Sequence, residues 1–318
     1  MRPFHDLTEI GRARRLRAVA LAALEHYDLS PARLRLITNE TNGIFRLDTT
    51  GGRRLVVGGG LGGDIAHSPG QVEAETGWLA ALAEETDLMV PAPVPARDGR
   101  RFVRVEAAGV PDPRNVVVFT WLPGRVLDEH LSEEVMPAYG ELAACLHEHG
   151  GTHRPAEPAA IARDDEVIPF DEPMVLFDAP PSLMPARRRR VFATAVERIE
   201  AGVAALRADG GPMRLLHGDL HPWNVMVSRR RLAPFDFEDL MWGWPVQDVA
   251  TTFWYLVRRT EYPEWRARFR GGYDTVAPLA AAGDDDQANI QIGRDLVVGN
   301  DQVLTPEWRE EAERLLTM

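Results

Sequence analysis

Cysteine is nearly missing from this chain: Cys145 is the single one among 318 residues. No intramolecular disulfide can form, and a zinc site built on cysteines is excluded. Cys145 falls within an apolar helical pattern and is read as a core residue, as free cysteines often are. Long apolar runs are also lacking. No stretch approaches the roughly 18–20 apolar residues that a membrane span requires, and Met1-Arg-Pro-Phe-His-Asp6 carries no apolar signal core. The expectation is a cytoplasmic protein with no membrane partner. Positive charge is in deficit, 36 basic against 48 acidic residues, for a net charge of −12. That balance argues against nucleic acid as the main partner and would suit a cationic small substrate.

With 45% hydrophobic residues the chain can bury a large core. Residues 9–27 repeat apolar side chains at helical spacing (Leu16, Val19, Ala20, Ala23, Leu24, Tyr27). Strand patterns follow around Leu34–Ile37, Ile44–Asp48 and Arg53–Val57, the last two joined by a Thr-Thr-Gly-Gly turn. A glycine-rich connection, Gly58–Gly63, leads to a helix that starts at Ser68-Pro69, with Ser68 as N-cap and Gln71 completing a capping box. Two more strand patterns, Phe102–Glu106 and Val116–Trp121, end at Leu122-Pro123-Gly124. The remainder reads as mainly helical (Glu133–His149, Arg187–Ala208, Val246–Arg259, Glu307–Leu316), with short strands only at Val225–Val227 and Leu232–Phe235. Residues 280–288 read as a solvated loop. The pattern predicts an α+β chain of two lobes, an N-terminal sheet with a helix over 1–122 and a helical lobe over 123–318.

The chemistry is concentrated in residues 217–239. His217-Gly-Asp-Leu-His-Pro-Trp-Asn224 is followed, after a basic turn, by Phe235-Asp-Phe-Glu-Asp239. Asp219 leaves an apolar anchor, Leu215-Leu216, into a loop, and Asn224 stands at the start of a strand. Asp236 closes the hairpin, with Glu238 two residues on. Oxygen donors in this order suit a Mg²⁺–phosphate site and a carboxylate that orients a hydroxyl. A second acid stands out on the capped helix. Val72, Glu75, Leu79 and Leu82 share one face, so Glu75 interrupts an apolar stripe and would need a cationic partner there. His217 and His221 are read as structural hydrogen-bonding groups, and His147, His149 and His153 as solvated or capping side chains at a helix end. Trp242 and Trp244 are expected to pack beneath the metal loop.

These segments, with Trp244-Pro-Val-Gln-Asp248, Glu73-Ala-Glu-Thr-Gly-Trp-Leu79, Val90-Pro-Ala-Pro-Val94 and Phe119-Thr-Trp-Leu-Pro-Gly124, resemble the aminoglycoside phosphotransferase and choline kinase-like superfamily over roughly residues 34–260. The resemblance implies a bilobal, protein-kinase-like fold and ATP- and Mg²⁺-dependent phosphoryl transfer to a hydroxyl. The acceptor would be a small molecule (amino alcohol, sugar, aminoglycoside or homoserine-like) or a protein Ser/Thr. It implies Asp219 as catalytic base, Asn224 and Asp236 as metal ligands with Glu238 assisting, and Asp248 as the acid bracing the catalytic loop. Glu75 would position the strand cation on the phosphates, Phe119 and Trp121 would belong to the hinge at adenine, and Asn42 to the phosphate-facing loop. One residue departs from the family's pattern. Residues 53–63 hold no lysine, and Leu55-Val56-Val57-Gly58 stands where a basic strand residue is expected. Arg54 or Arg53 would have to replace it from a position offset along the strand, about 7 Å per two residues. A nucleotide-binding pseudokinase with weak or no transfer is therefore the alternative to an active kinase.

Overall fold

The computed structural model describes residues 2–4, 6–39, 43–58, 68–166, 185–229 and 231–279. The expected helix at 307–316 and the acidic loop at 280–288 lie outside them. The chain folds as two units, one of Met1–Gly124 with His153–Ile161 and Ala233–Glu238, the other of Arg125–Thr152, Ala162–Leu232 and the chain from Asp239 onward.

The first unit holds α1 (Glu9–Leu24), β1 (Pro31–Asn39), β2 (Gly43–Thr49), β3 (Arg54–Gly58), α2 (Pro69–Glu85), β4 (Phe102–Val105) and β5 (Arg114–Thr120). Its five strands form an antiparallel sheet in the order β1-β2-β3-β5-β4. Alternation divides the sheet's faces. Phe45, Leu47, Leu55, Val57, Val116 and Val118 pack with Leu16, Val19, Ala20 and Ala23 of α1 into one core. Ile44, Arg46, Asp48, Val56, Gly58 and Phe119 fall on the other face by register. Thr8 caps α1 by accepting from the Gly11 amide at 3.3 Å. The capping box of α2 forms as its sequence indicates: Ser68 Oγ accepts from the Gln71 amide at 3.2 Å, and Gln71 Oε1 accepts from the Ser68 amide at 2.8 Å.

The second unit continues with β6 (Arg125–Val126), α3 (Met136–Thr152), β7 (Ala162–Arg163), α4 (Ala186–Asp209), β8 (Arg214–Leu216), β9 (Val225–Ser228), β10 (Arg231–Pro234, whose last residues enter the first unit), β11 (Met241–Gly243), α5 (Pro245–Leu256) and α6 (Tyr262–Tyr273). Strands β10-β9-β6 form one small sheet and β7-β11-β8 another. The sequence reading assigned no strand to β6, β7, β8 or β11, and no helix to α6. Strands of two or three residues are too short for alternation to register, and α6 is mostly polar, with only Trp265, Phe269, Gly272 and Tyr273 buried. Helices α3 and α6 meet backbone to backbone. A Cβ on Gly140 would stand 1.9 Å from the Phe269 carbonyl oxygen, and one on Gly272 would stand 2.0 Å from that of Pro137. No helix among the described residues is long and apolar enough to cross a membrane.

Candidate active site

In the second unit, Asp219 sits on a loop fastened at both ends. Upstream, the Asp248 carboxylate, buried on α5, accepts the His217 and Gly218 amides at 2.9 Å each. Downstream, the Leu220 carbonyl accepts from Tyr139 Oη at 3.0 Å and from Thr252 Oγ1. Gly218 turns the chain at φ +86°, and a Cβ there would stand 1.9 Å from the Asp239 carbonyl oxygen, so no other residue fits. The loop's position is thus set by buried hydrogen bonds and a backbone contact.

Three side chains act on Asp219 directly or nearly so. Asn224 Nδ2 donates to Asp219 Oδ2 at 2.9 Å and to its carbonyl at 3.0 Å. His221 Nδ1 accepts the Trp223 amide at 3.1 Å, which leaves its ring proton on Nε2, 3.1 Å from Asp219 Oδ2. The His221 ring stacks on Tyr255 with centroids 4.2 Å apart, and His217 Nδ1 accepts the Asp219 amide at 3.3 Å. Burial pushes the Asp219 carboxyl upward. The hydrogen bond from His221, the nearby His217 ring and the Asn224 amide outweigh that, and the net shift is below the ordinary carboxylate value. Asp219 is therefore ionised at neutral pH.

His147 corrects its reading as a solvated or capping residue. It is fully buried on α3, with Nε2 3.2 Å from Asp248 Oδ2 and Nδ1 2.8 Å from Tyr273 Oη. Its partners come from α5 and α6, and a hydrogen-bond network across three helices cannot be read along one of them. Trp244 packs against Leu206 and Val246 and donates from Nε1 to the Gly211 carbonyl at 3.0 Å. Cys145 is half-buried, with its thiol pushed upward by burial and by Glu141 and Glu148.

In the first unit, α2 packs on the Asp-Phe-Glu segment through Trp78, whose ring meets Phe237 edge-on with centroids 5.4 Å apart. Trp78 lies one turn from Glu75, which is half-buried. Asp236 adopts φ +67°, a conformation aspartate tolerates better than most residues. It is exposed beside the buried Phe237, and Glu238 is half-buried. Phe119 is buried on β5 opposite Val56, and Trp121 follows at the strand's end under the Arg46 guanidinium, 5.5 Å from the ring centroid. Arg54 stands exposed at the outer end of β3 opposite Asp48. That is four residues from Gly58, about 13 Å along the strand. Asn42 lies outside the described residues. The structure thus gathers Asp219 and Asn224 in one unit, and the helix of Glu75 with Asp236 and Glu238 in the other. His217 and His221 hydrogen-bond as their sequence reading expected, whereas the contacts of His147, Tyr255 and Arg46 were not foreseen, because side-chain pairing and strand register are invisible along a single chain.

The sequence profile of the phosphotransferase enzyme family matches residues 34–283. The chain belongs to that family. No curated protein matches it in sequence. Among solved structures, this phosphotransferase-family chain is similar to a microcompartment-associated aminopropanol kinase, at 27% identity and TM-score 0.72 over 95% of this chain and 94% of that one. Amicoumacin kinase hAmiN, solved in complex with AMP-PNP, Ca²⁺ and Ami, gives 16% identity and TM-score 0.76 over 97% and 94% of the two chains. Spectinomycin phosphotransferase in complex with ADP and spectinomycin gives 11% and 0.63 over 95% and 93%. The fold is α+β and protein-kinase-like, as the sequence predicts.

Proposed function

We propose that this protein is an ATP- and Mg²⁺-dependent kinase that phosphorylates the hydroxyl of a small amino alcohol. The observation that carries the reading is Asp219, an ionised carboxylate held by His221 and Asn224 on a loop pinned through Asp248. Family membership supplies the reaction class. The amino-alcohol acceptor is favoured by the 27% identity to an aminopropanol kinase across nearly the whole chain and by the net charge of −12, which draws a cationic amine.

In this reading the acceptor hydroxyl donates its hydrogen bond to Asp219, its oxygen bonds the γ-phosphorus, and the bond from that phosphorus to the ADP oxygen breaks. The hydroxyl proton passes to Asp219. A carboxylate of low pKa takes that proton late, which suits a loose transition state in which orientation counts for more than basicity. Asn224 fits a hard cation, because its Nδ2 is committed to Asp219 and its amide oxygen remains to ligate. Among the described residues no three His, Cys, Asp or Glu side chains cluster as a metal cage. Mg²⁺ on a nucleotide characteristically takes one or two protein carboxylates and fills its shell with phosphate oxygens and water. Asn224 and Asp236 would hold it, with Glu238 assisting, and the cation would neutralise charge on the transferring phosphoryl group.

The test is a coupled ADP-release assay with Mg-ATP and a panel of aminopropanols, other amino alcohols and aminoglycosides, run on wild type and Asp219→Asn. Turnover with at least one amino alcohol, lost in the variant, is expected. Nucleotide binding without turnover on the whole panel would favour the pseudokinase reading, and neither binding nor turnover in folded protein would sink both.

A further inference from the structure

We propose that His221 is a positioning residue that sets the plane of the Asp219 carboxylate, holding one oxygen so that the other meets the acceptor hydroxyl. The inference rests on the kinase reading above. Both side-chain donors on this carboxylate end on the same atom. Asn224 Nδ2 reaches Asp219 Oδ2 at 2.9 Å, and His221 Nε2 reaches it at 3.1 Å. A carboxylate oxygen has about two lone-pair sites, so Oδ2 is filled and Oδ1 is left for the hydroxyl.

One donor would not settle that plane. The torsion about Cβ–Cγ of an aspartate is broad, and each oxygen stands about 1 Å off its axis, given a C–O bond of roughly 1.23 Å. A turn of roughly 60° therefore carries Oδ1 through about 1 Å, a shift that costs on the order of 100-fold in rate at a reacting group. A second donor from a different direction removes that freedom.

His221 can do this because it is itself held on an edge and a face. Nδ1 accepts the Trp223 amide at 3.1 Å and caps the short turn Pro222–Asn224. The ring face stacks on Tyr255, with centroids 4.2 Å apart and planes 29° apart. Tyr255 belongs to the same stripe of α5 as Asp248 and Thr252, at positions i, i+4 and i+7. Asp248 takes the His217 and Gly218 amides, Thr252 donates to the Leu220 carbonyl, and Tyr255 backs His221. One face of α5 thus grips the loop at three successive points, and the third grip acts on the base's side chain. A capping role alone would need only Nδ1. Asparagine caps as well, but its side chain ends at the atom that corresponds to Nδ1, short of Asp219.

The experiment measures kcat and KM for Mg-ATP and for an aminopropanol, or whichever alcohol of the panel above turns over fastest. It compares wild type, His221→Asn, His221→Gln and Asp219→Asn, with thermal melting to confirm folding. Asparagine keeps the cap and loses the reach, whereas the glutamine amide nitrogen stands where Nε2 stood. His221→Asn should lower kcat about 10- to 100-fold with both KM values within about threefold, and His221→Gln should stay within about fivefold of wild type. Adding His221→Asn to Asp219→Asn should cost nothing further, because a positioning residue acts only through the base. A KM that rises while kcat holds, His221→Gln no better than His221→Asn, losses that multiply in the double variant, or full kcat in folded His221→Asn would each overturn the proposal. Should His221→Asn melt early, His221→Phe, which keeps a ring on Tyr255, carries the same test with the same outcomes. Wild type inactive on the whole panel would overturn the kinase reading and this one with it. Active wild type with unaffected variants overturns this one alone.

Discussion

Replacing Asp248 with asparagine isolates the anchor of the catalytic loop with almost no change in volume. One carboxylate oxygen serves the His217 amide and His147 Nε2, the other serves the Gly218 amide. An asparagine can keep the first pair with its oxygen, but its Nδ2 then faces the Gly218 N–H, donor against donor. Losing one charge-assisted bond removes about 1.5–3 kcal/mol, and leaving a buried amide unsatisfied costs about 1–3 kcal/mol more. These overlap, so a loss of about 3–4 kcal/mol is expected, or a melting temperature lower by roughly 6–15 °C for a chain of this size. The damage falls on Gly218, next to Asp219, and a misplacement of about 1 Å at a reacting group costs on the order of 100-fold in rate. Differential scanning fluorimetry and kcat measured well below the melting point check both numbers. An Asp248→Asn protein that melts and turns over like wild type would show that the loop is held by something else.

Asp219→Asn keeps an oxygen for Asn224 and His221 but removes the base, and kcat should fall by about 100-fold or more while folding is retained, as read by single-turnover kinetics and melting. Because the folded Asp219 pKa lies below its ordinary value, kcat/KM should stay flat from neutrality down through pH 5. Its acid limb should appear only below about 3.9, and a limb centred near 6 would contradict the assigned environment. The stability that this ionised carboxylate adds is full above the unfolded value and lost as pH falls through the lower folded one. The wild-type advantage over Asp219→Asn in urea titrations should shrink only in that acid window. Ser68→Ala removes one half of the α2 capping box and should cost about 1 kcal/mol in denaturant titration, with no change if the cap is idle.

Much of the architecture was legible because local chemistry and tertiary packing agree. The Ser68-Pro69-Gln71 start of α2 and the alternation of β2 each specify their element without outside help. Asp219, Asn224, Asp236 and Glu238 stood out as candidates because acids and an amide at that spacing have few structural uses together, and the structure joins Asp219 and Asn224 by hydrogen bonds. What escaped belongs to pairings between distant segments. His147 reads as one more polar residue near a helix end, and only the approach of α5 and α6 makes it a buried partner of Asp248 and Tyr273. Arg46 looks like the solvent side of a strand until the register of β2, β3 and β5 puts it in a row with Val56 and Phe119. Arg54, the candidate strand cation from proximity in sequence, stands exposed at the outer end of β3 opposite Asp48, a placement that only the register shows.

The glycine contacts shape how this protein can change. At Gly140, Gly150, Gly272 and Gly218 the neighbour is a backbone carbonyl, which no rotamer change can move aside. Elsewhere in the helical unit a swapped core residue can be absorbed by side chains shifting around it. Here a single added methyl must displace a whole helix or the turn beside Asp219. The consequence is a mutational landscape with a few sharp walls amid broad tolerance. Two of those walls lie in the α3–α6 contact, where variation fails for lack of space and not for loss of chemistry.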